Sequence, residues 1–217
     1  KQAILNLENE GITKNVFNHG DIMLDAQQFF LERLQTLELS EDIELINAFN
    51  SYSVLTIHRP SNTDSKEMLG NILQSLNHID HPIVFPIHPR TNKMLTQFGI
   101  DLPNHVKKIN PLGYTDMLRL VMGAELILTD SGGLQKEAYF LNKKCITYRD
   151  TTEWSETLEN GCNTLVLTDP STLNINKLLS AINSNNVGKF NVEQFGDGQG
   201  AKKIVAAINL FLNTKSK

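Results

Sequence analysis

From Ser51 onward, short β-branched apolar runs alternate with stretches whose apolar residues recur every three or four positions. Ser51 to Ile57 (SYSVLTI) reads as a strand that ends at His58-Arg59-Pro60. Between Asp64 and Leu76, the residues Met68, Leu69, Ile72, Leu73 and Leu76 fall on one face of a helix. Further strands are predicted at Ile83 to Ile87, Val106 to Ile109, Leu126 to Thr129, Cys145 to Tyr148 and Thr164 to Leu167. Between and after them, helices are predicted at Thr91 to Phe98, Thr115 to Met122, from the Asp130-Ser131-Gly132-Gly133 turn to about Leu141, at Glu153 to Asn160, Ser171 to Ile182 and Ala201 to Leu212. Strict alternation with short connections predicts an α/β fold built on a doubly wound parallel sheet.

The first fifty or so residues break the pattern. Gln2 to Glu10 is predicted helical, Asn15 to Asn18 as a lone strand, and Ile22 to Leu37 as one long helix. A single strand leaves both of its edges unpaired, so it is expected to complete a sheet belonging to other sequence. The chain opens without a Met on a polar amphipathic stretch, and is expected to be a piece of something longer.

Composition narrows the function classes. At 217 residues, 40% hydrophobic and 20% charged, the chain can bury a core without disulfide staples. Two cysteines suit a reducing cytoplasm and do not make a zinc site, since no His ligands stand near them at metal spacing. The net charge of −4 offers no global field for nucleic acid or an anionic membrane. No apolar run approaches the roughly 20 residues of a membrane span. Neither a Walker-type phosphate loop nor G-x-G-x-x-G occurs, which counts against a P-loop enzyme or a dinucleotide oxidoreductase.

Candidate chemistry gathers at the strand ends, where open parallel sheets bind ligands. The first strand is followed by His58-Arg59 and Asn62, the second by His88-Pro89-Arg90, and the third by Asn110-Pro111-Leu112-Gly113-Tyr114. The fourth is followed by Asp130-Ser131-Gly132-Gly133, and the fifth by Arg149-Asp150-Thr151-Thr152-Glu153. Unobstructed backbone N–H groups of Ser131, Gly132 and Gly133 at a helix start form a cradle for a phosphate or diphosphate. Glu137, further along that helix, can accept hydrogen bonds from a sugar diol. Alone, Asp-Ser-Gly-Gly is also an ordinary capped helix start; Arg59, Arg90 and Arg149 at the same rim favour the anion reading. His58 beside Arg59 suits acid/base or phosphate contact, or is a surface pair before a proline turn. His88 suits the same rim or a half-buried packing role. Glu153 can bind a ligand hydroxyl or supply a first-turn carboxylate.

The blocks Thr56-Ile57-His58-Arg59-Pro60-Ser61-Asn62, Phe85-Pro86-Ile87-His88-Pro89, Leu128 to Ala138 (LTDSGGLQKEA) and Arg149-Asp150-Thr151-Thr152-Glu153 occur in this order. Together they resemble the non-hydrolysing UDP-N-acetylglucosamine 2-epimerases. That resemblance implies the Rossmann-like C-terminal domain of a glycosyltransferase-B-like two-domain fold. It divides the chain into 1–50 (tail of the N-terminal domain and linker), 51–195 (UDP-binding domain) and 196–217 (a returning helix). It implies UDP against Ser131, Gly132 and Gly133, with Glu137 at the ribose. His58 is implied as catalytic, and Arg59, Asn62, His88, Arg149 and Glu153 as substrate-binding. The implied reaction loses UDP to give a 2-acetamidoglucal and re-adds it with the opposite configuration at C2, with acid/base residues from sequence outside this chain. No metal or cofactor is called for, and the partners expected are a UDP-sugar and, in the full-length enzyme, a second copy forming a homodimer in the cytoplasm. Pro60-Ser61, where many members read R-E, and Trp154-Ser155, where many read R-P, lack the arginines of a regulatory contact with a second substrate molecule. Gln135 to Phe140 (QKEAYF), Thr152-Glu153-Trp154 and Gly20 to Met23 (GDIM) lean toward the branch acting on UDP-2,3-diacetamido-glucuronate. A glycosyltransferase of the same architecture and a non-catalytic nucleotide-sugar binding module are the competing readings.

Overall fold

The computed structural model describes residues 2–38, 40–46, 49–184 and 188–215. In chain order the helices are α1 (Gln2–Asn9), α2 (Ile22–Leu31), α3 (Glu41–Ile46), α4 (Pro60–Thr63), α5 (Lys66–Ser75), α6 (Pro89–Phe98), α7 (Tyr114–Gly123), α8 (Gly132–Phe140), α9 (Ile175–Asn183) and α10 (Gly200–Lys215). The strands are β1 (Ser53–Thr56), β2 (Ile83–Pro86), β3 (Val106–Ile109), β4 (Leu126–Thr129), β5 (Lys144–Thr147), β6 (Asn163–Leu165), β7 (Leu167–Asp169) and β8 (Thr172–Leu173). Two compact units result, one of Lys1–Thr36 with Asn191–Lys217 and the other of Leu37–Phe190.

The larger unit holds a six-stranded sheet in the order β3-β2-β1-β4-β5-β6, and every pairing is parallel. The predicted α/β, doubly wound, Rossmann-like class is what forms. Alternation along each strand sorts its side chains to two buried faces. Leu55, Phe85, Leu128 and Ile146 enter one core with Leu69 and Ile72 of α5 and Leu178 of α9. Val54, Val84, Ile127 and Cys145 enter the other with Leu120 of α7 and Leu134 and Ala138 of α8. Ile43 and Ile46 of α3 also lie in that second core, so the compact unit begins at Leu37, ahead of the first alternating run.

The chain winds outward from β1 to β3, returns to place β4 beside β1, and winds outward the other way. Ligand crevices form at such a reversal. Register levels the crevice floor: Thr56 pairs with Thr129, and Thr129 with Thr147. These threonines begin a polar seam. Thr56 Oγ1 lies 2.6 Å from Thr129 Oγ1, and Thr147 Oγ1 donates to Asn163 Oδ1 at 2.7 Å.

In the smaller unit, Asp21 caps α2 and its N–H donates to Phe195 O at 2.7 Å. Asp25 accepts from the N–H groups of Gly200 at 3.1 Å and Ala201 at 2.6 Å, closing the start of α10. A Cβ on Gly196 would stand 2.9 Å from Gly20 Cα, which explains a glycine at each side of this crossing.

Four expectations change. Asn15 to Asn18 forms no strand, because no strand lies beside it among the described residues; Asn15 takes a left-handed turn conformation instead. The long helix stops at Leu31, where the Glu32 N–H reaches both Gln28 O and Phe30 O and tightens the final turn. Glu153 to Asn160 has no three-and-four apolar spacing and becomes a 3₁₀ segment, Ser155–Gly161, kinked at Glu159 and Asn160. Ser171 to Ile182 divides, since Thr172–Leu173 pairs antiparallel with Leu167–Asp169 before Asn174 caps α9.

Leu128 sits at the centre of the sheet with no exposure. Leu128→Ala should cost about 2–5 kcal/mol of stability, read from urea unfolding followed by circular dichroism. A loss under ~1 kcal/mol would place the core elsewhere.

Candidate functional site

Asp130, directly after β4, is fully buried. A carboxylate there is tolerable only with its acceptor sites filled. It accepts from the backbone N–H of His58 at 3.0 Å and of Arg59 at 2.9 Å, and from Asn62 Nδ2 at 3.0 Å. His58 Nδ1 lies 3.1 Å from its other oxygen. Pro60 opens α4 at its first position, where its fixed φ suits a helix start and no N–H is needed. This short helix carries Asn62 back under the rim. Asn62 is completely buried, and Nδ2 also donates to Tyr148 O at 3.0 Å. One carboxylate and one amide thus tie together the ends of β1, β4 and β5.

The pair has electrostatic consequences. The hydrogen bond to Asp130 raises the His58 pKa, outweighing its partial burial and the nearby Arg59. Burial pushes Asp130 up, but the hydrogen bonds from His58, Arg59 and Asn62 outweigh it and hold the carboxyl below its ordinary range. With Nδ1 committed to Asp130, Nε2 is the ring nitrogen left for a ligand.

His58 lines a cavity of about 420 Å³ together with Thr56, His88, Ser131, Gly133 and Glu137. Pro86, Pro111, Leu112 and Met117 add apolar walls. Ser131 caps α8: its Oγ accepts from Leu134 N at 3.3 Å, and its own N–H donates to Thr129 Oγ1 at 2.9 Å. By helix geometry the N–H groups of Gly132 and Gly133 have no acceptor within α8. Glu137 is pushed up by burial, opposed by a hydrogen bond from Tyr114 and by the Lys136 charge. Burial and Glu137 together push the Tyr114 hydroxyl up to about 12.

A second cluster stands beside Gly132. Arg149 donates to Glu153 through both terminal nitrogens, at 2.7 and 2.8 Å, and holds the Glu153 carboxyl at about 2. Arg59 lies 3.9 Å from the same carboxylate. Lys136 Nζ sits 3.8 Å above the Trp154 ring. A Cβ on Gly132 would meet Trp154 Nε1 at 3.4 Å and Glu153 Oε2 at 3.5 Å.

The rim residues therefore differ in accessibility. His88 is exposed rather than half-buried, and its Nδ1 caps α6 by accepting from Arg90 N at 3.2 Å. Its ring centroid is 6.1 Å from that of His58. Arg90 turns to Asp64, with contacts of 2.6 and 2.8 Å, and does not line the cavity. Asn62 stands behind the cavity wall, not on it. Two participants were not legible as such. Asp130 reads from sequence as a helix cap, because its donors are 68 to 72 positions away. Tyr114 belongs to a flagged turn, but its partner Glu137 lies on the next helix.

A six-stranded parallel α/β sheet, with an open helix start and a carboxylate-held histidine at its reversal point, defines a Rossmann-like domain. The chain belongs to the UDP-N-acetylglucosamine 2-epimerase family, whose pattern matches residues 1–209. It is 39% identical over 224 residues to the UDP-N-acetylglucosamine 2-epimerase of Methanococcus maripaludis, covering 96% of this chain and 58% of that one. Over 170 residues it is 41% identical to the UDP-2,3-diacetamido-2,3-dideoxy-D-glucuronate 2-epimerase of Pseudomonas aeruginosa, covering 76% of this chain and 46% of the relative. The crystal structure of Methanocaldococcus jannaschii UDP-GlcNAc 2-epimerase in complex with UDP-GlcNAc and UDP superimposes with a TM-score of 0.80 at 37% identity. That match covers 95% of this chain and 58% of the other. The chain thus spans little more than half the length of such relatives.

The His58–Asp130 contact makes stability depend on pH in a defined window. A raised histidine contributes fully below its ordinary value of 6.5 and loses its contribution as pH rises through the folded value. A depressed carboxyl contributes fully above 3.8 and loses its contribution as pH falls through its folded value. Wild type and His58→Ala should differ most in urea midpoint at about pH 5, and the difference should shrink at alkaline pH to what the neutral ring's Nδ1–H still contributes. A gap that widens above neutrality would contradict the pairing.

Proposed function

We propose that this chain is the nucleotide-binding part of a UDP-N-acetylglucosamine 2-epimerase. The observation that carries the reading is the single cavity in which the start of α8, Glu137 and the Asp130-held His58 meet. The diphosphate sits on the α8 N-terminus at Ser131, Gly132 and Gly133, where backbone donors and the helix dipole favour an anion. Glu137 accepts from the ribose, and Pro111, Leu112 and Met117 give the base an apolar wall. Arg59, His88, Arg149 and Glu153 serve the same substrate at the rim, and Asn62 supports them from behind through Asp130.

In the elimination, a base takes the C2 proton and its electron pair forms the C1–C2 double bond. The C1–O pair departs with UDP, and negative charge grows on the diphosphate. A protonated His58 and the α8 N–H groups oppose that charge where it develops, which lowers the barrier. Re-addition from the glucal reverses these steps and inverts C2. The proton-transfer groups at C2 belong, in this proposal, to sequence outside the 217 residues. Names of relatives at 39–40% identity across almost the whole chain support the substrate. A UDP-sugar substrate, a homodimer and a cytoplasmic setting complete the proposal; no helix among the described residues is long and apolar enough to cross a membrane.

Two measurements test it. Gly132→Ala adds a Cβ that the protein tolerates at ordinary contact distance, but that occupies the approach to the helix start. Calorimetry should show UDP affinity reduced by roughly tenfold or more, the loss of about one charge-assisted hydrogen bond, with the melting temperature little changed. Unchanged affinity would remove the diphosphate from this turn. Solvent deuterium incorporation at C2 of UDP-N-acetylglucosamine, followed by NMR with the longer protein, tests the reaction. Turnover that instead requires an acceptor sugar would make it a glycosyltransferase.

A further inference from the structure

The loop after β5 carries Trp154, the one tryptophan of the chain. Its backbone is pinned on both sides: the N–H donates to Thr152 Oγ1 at 3.1 Å, and the carbonyl accepts from Thr157 Oγ1 at 2.7 Å. Thr152 is tied in turn to the buried Gln135 of α8, at 2.7 Å. Lys136, the next residue of that helix, is also buried and holds its ammonium 3.8 Å from the ring centroid, a cation–π contact that fixes the plane of the indole. Two consecutive residues of α8 therefore fasten the loop and the ring to the helix. An indole N–H can only donate, and Trp154 Nε1 has no acceptor among the described residues.

The place of this donor gives it a use. Helical Cα–Cβ bonds tilt toward the N-terminus, so the space that Gly132 leaves lies on the side of its free N–H. Trp154 Nε1 stands 3.4 Å from the point a Cβ there would occupy. It is thus within about 6 Å of the Gly132 nitrogen, which is two bonds from that point. One anion oxygen bonded at about 2.9 Å to each donor, or two oxygens of one phosphate, spans such a gap. We propose that the Trp154 indole N–H is a phosphate donor that completes the cradle at the start of α8. The inference rests on UDP placing its diphosphate at this turn as proposed above. Glu153 Oε2 lies 3.5 Å from the same point, but Arg149 neutralises it in a two-bond ion pair. The Lys136 ammonium behind the ring adds to the positive field that an anion meets.

A lone tryptophan is its own probe. Its emission should change when UDP or pyrophosphate is added, and should not change with uridine, which lacks the phosphates, or with sodium chloride at matched ionic strength. Trp154→Phe keeps an aromatic ring against Lys136 and removes the N–H. Calorimetry should then show UDP weakened roughly tenfold, the worth of about one charge-assisted hydrogen bond, and uridine changed by less than about twofold. UDP binding that leaves the emission unmoved, the same emission change with uridine, equal UDP affinity in wild type and Trp154→Phe, or equal losses for UDP and uridine would each overturn the inference and leave the proposed function standing. The emission measurement needs no substitution, so it holds even if Trp154→Phe lowers the melting temperature. A wild-type chain that binds neither UDP nor pyrophosphate would overturn both together.

Discussion

The carboxylate of Asp130 is excluded from water, and removing a charge from water costs several kcal/mol unless the protein restores its hydrogen bonds. Every donor that does so comes from the segment after β1: two backbone N–H groups, the Asn62 amide and the His58 ring. The sharp path of residues 58–62 is therefore dictated by a residue far along the chain. Asn62 passes the constraint on to Tyr148 O beyond β5. The donor set that makes the buried charge tolerable also fixes the orientation of the His58 ring, with Nδ1 on Asp130.

A parallel sheet makes this economical. Its strands all end on one side, and Thr56, Thr129 and Thr147 fall level in the register. The Thr56 and Thr129 hydroxyls meet on two of the strands, and in register beside them Thr147 opens a hydrogen-bonded path through Asn163 to Gln135 and Thr152. That path ends at the loop that carries Glu153 and Trp154, where Thr152 Oγ1 also accepts from Trp154 N at 3.1 Å. Apolar side chains fill both faces of the same strands immediately below it.

Much of this could be read in the residues because the signals are local. Period-two runs and three-and-four spacing locate the sheet strands and α5 to α8, and the polar turns that follow successive strands mark the rim at which Ser131, Glu137 and His58 meet. The signals that failed are those that need a distant partner. Asn15 to Asn18 has strand-like residues but nothing beside it to pair with, and Thr172–Leu173 pairs only because a turn brings it back to Leu167. Asn62 has the composition of a rim residue, yet the proline-started turn buries it. Arg90 faces Asp64 because a carboxylate 26 positions earlier stands within 2.6 Å. Sequence spacing does not encode such meetings; topology does.

The Asp25 carboxylate closes the first turn of α10 from 175 residues away, and Gly20 meets Gly196 in the same small unit. A unit assembled from two distant stretches of chain cannot close until the second has been made. At roughly 5–20 residues per second of synthesis, α2 waits on the order of 9–35 s for its partner. The sheet unit, whose residues lie wholly between the two, is complete earlier. The side chains of Leu24 on α2 and Leu34 just after it, buried in the finished structure, are thus presented to the cell before their unit exists, and the interval is one in which a chaperone has apolar surface to hold.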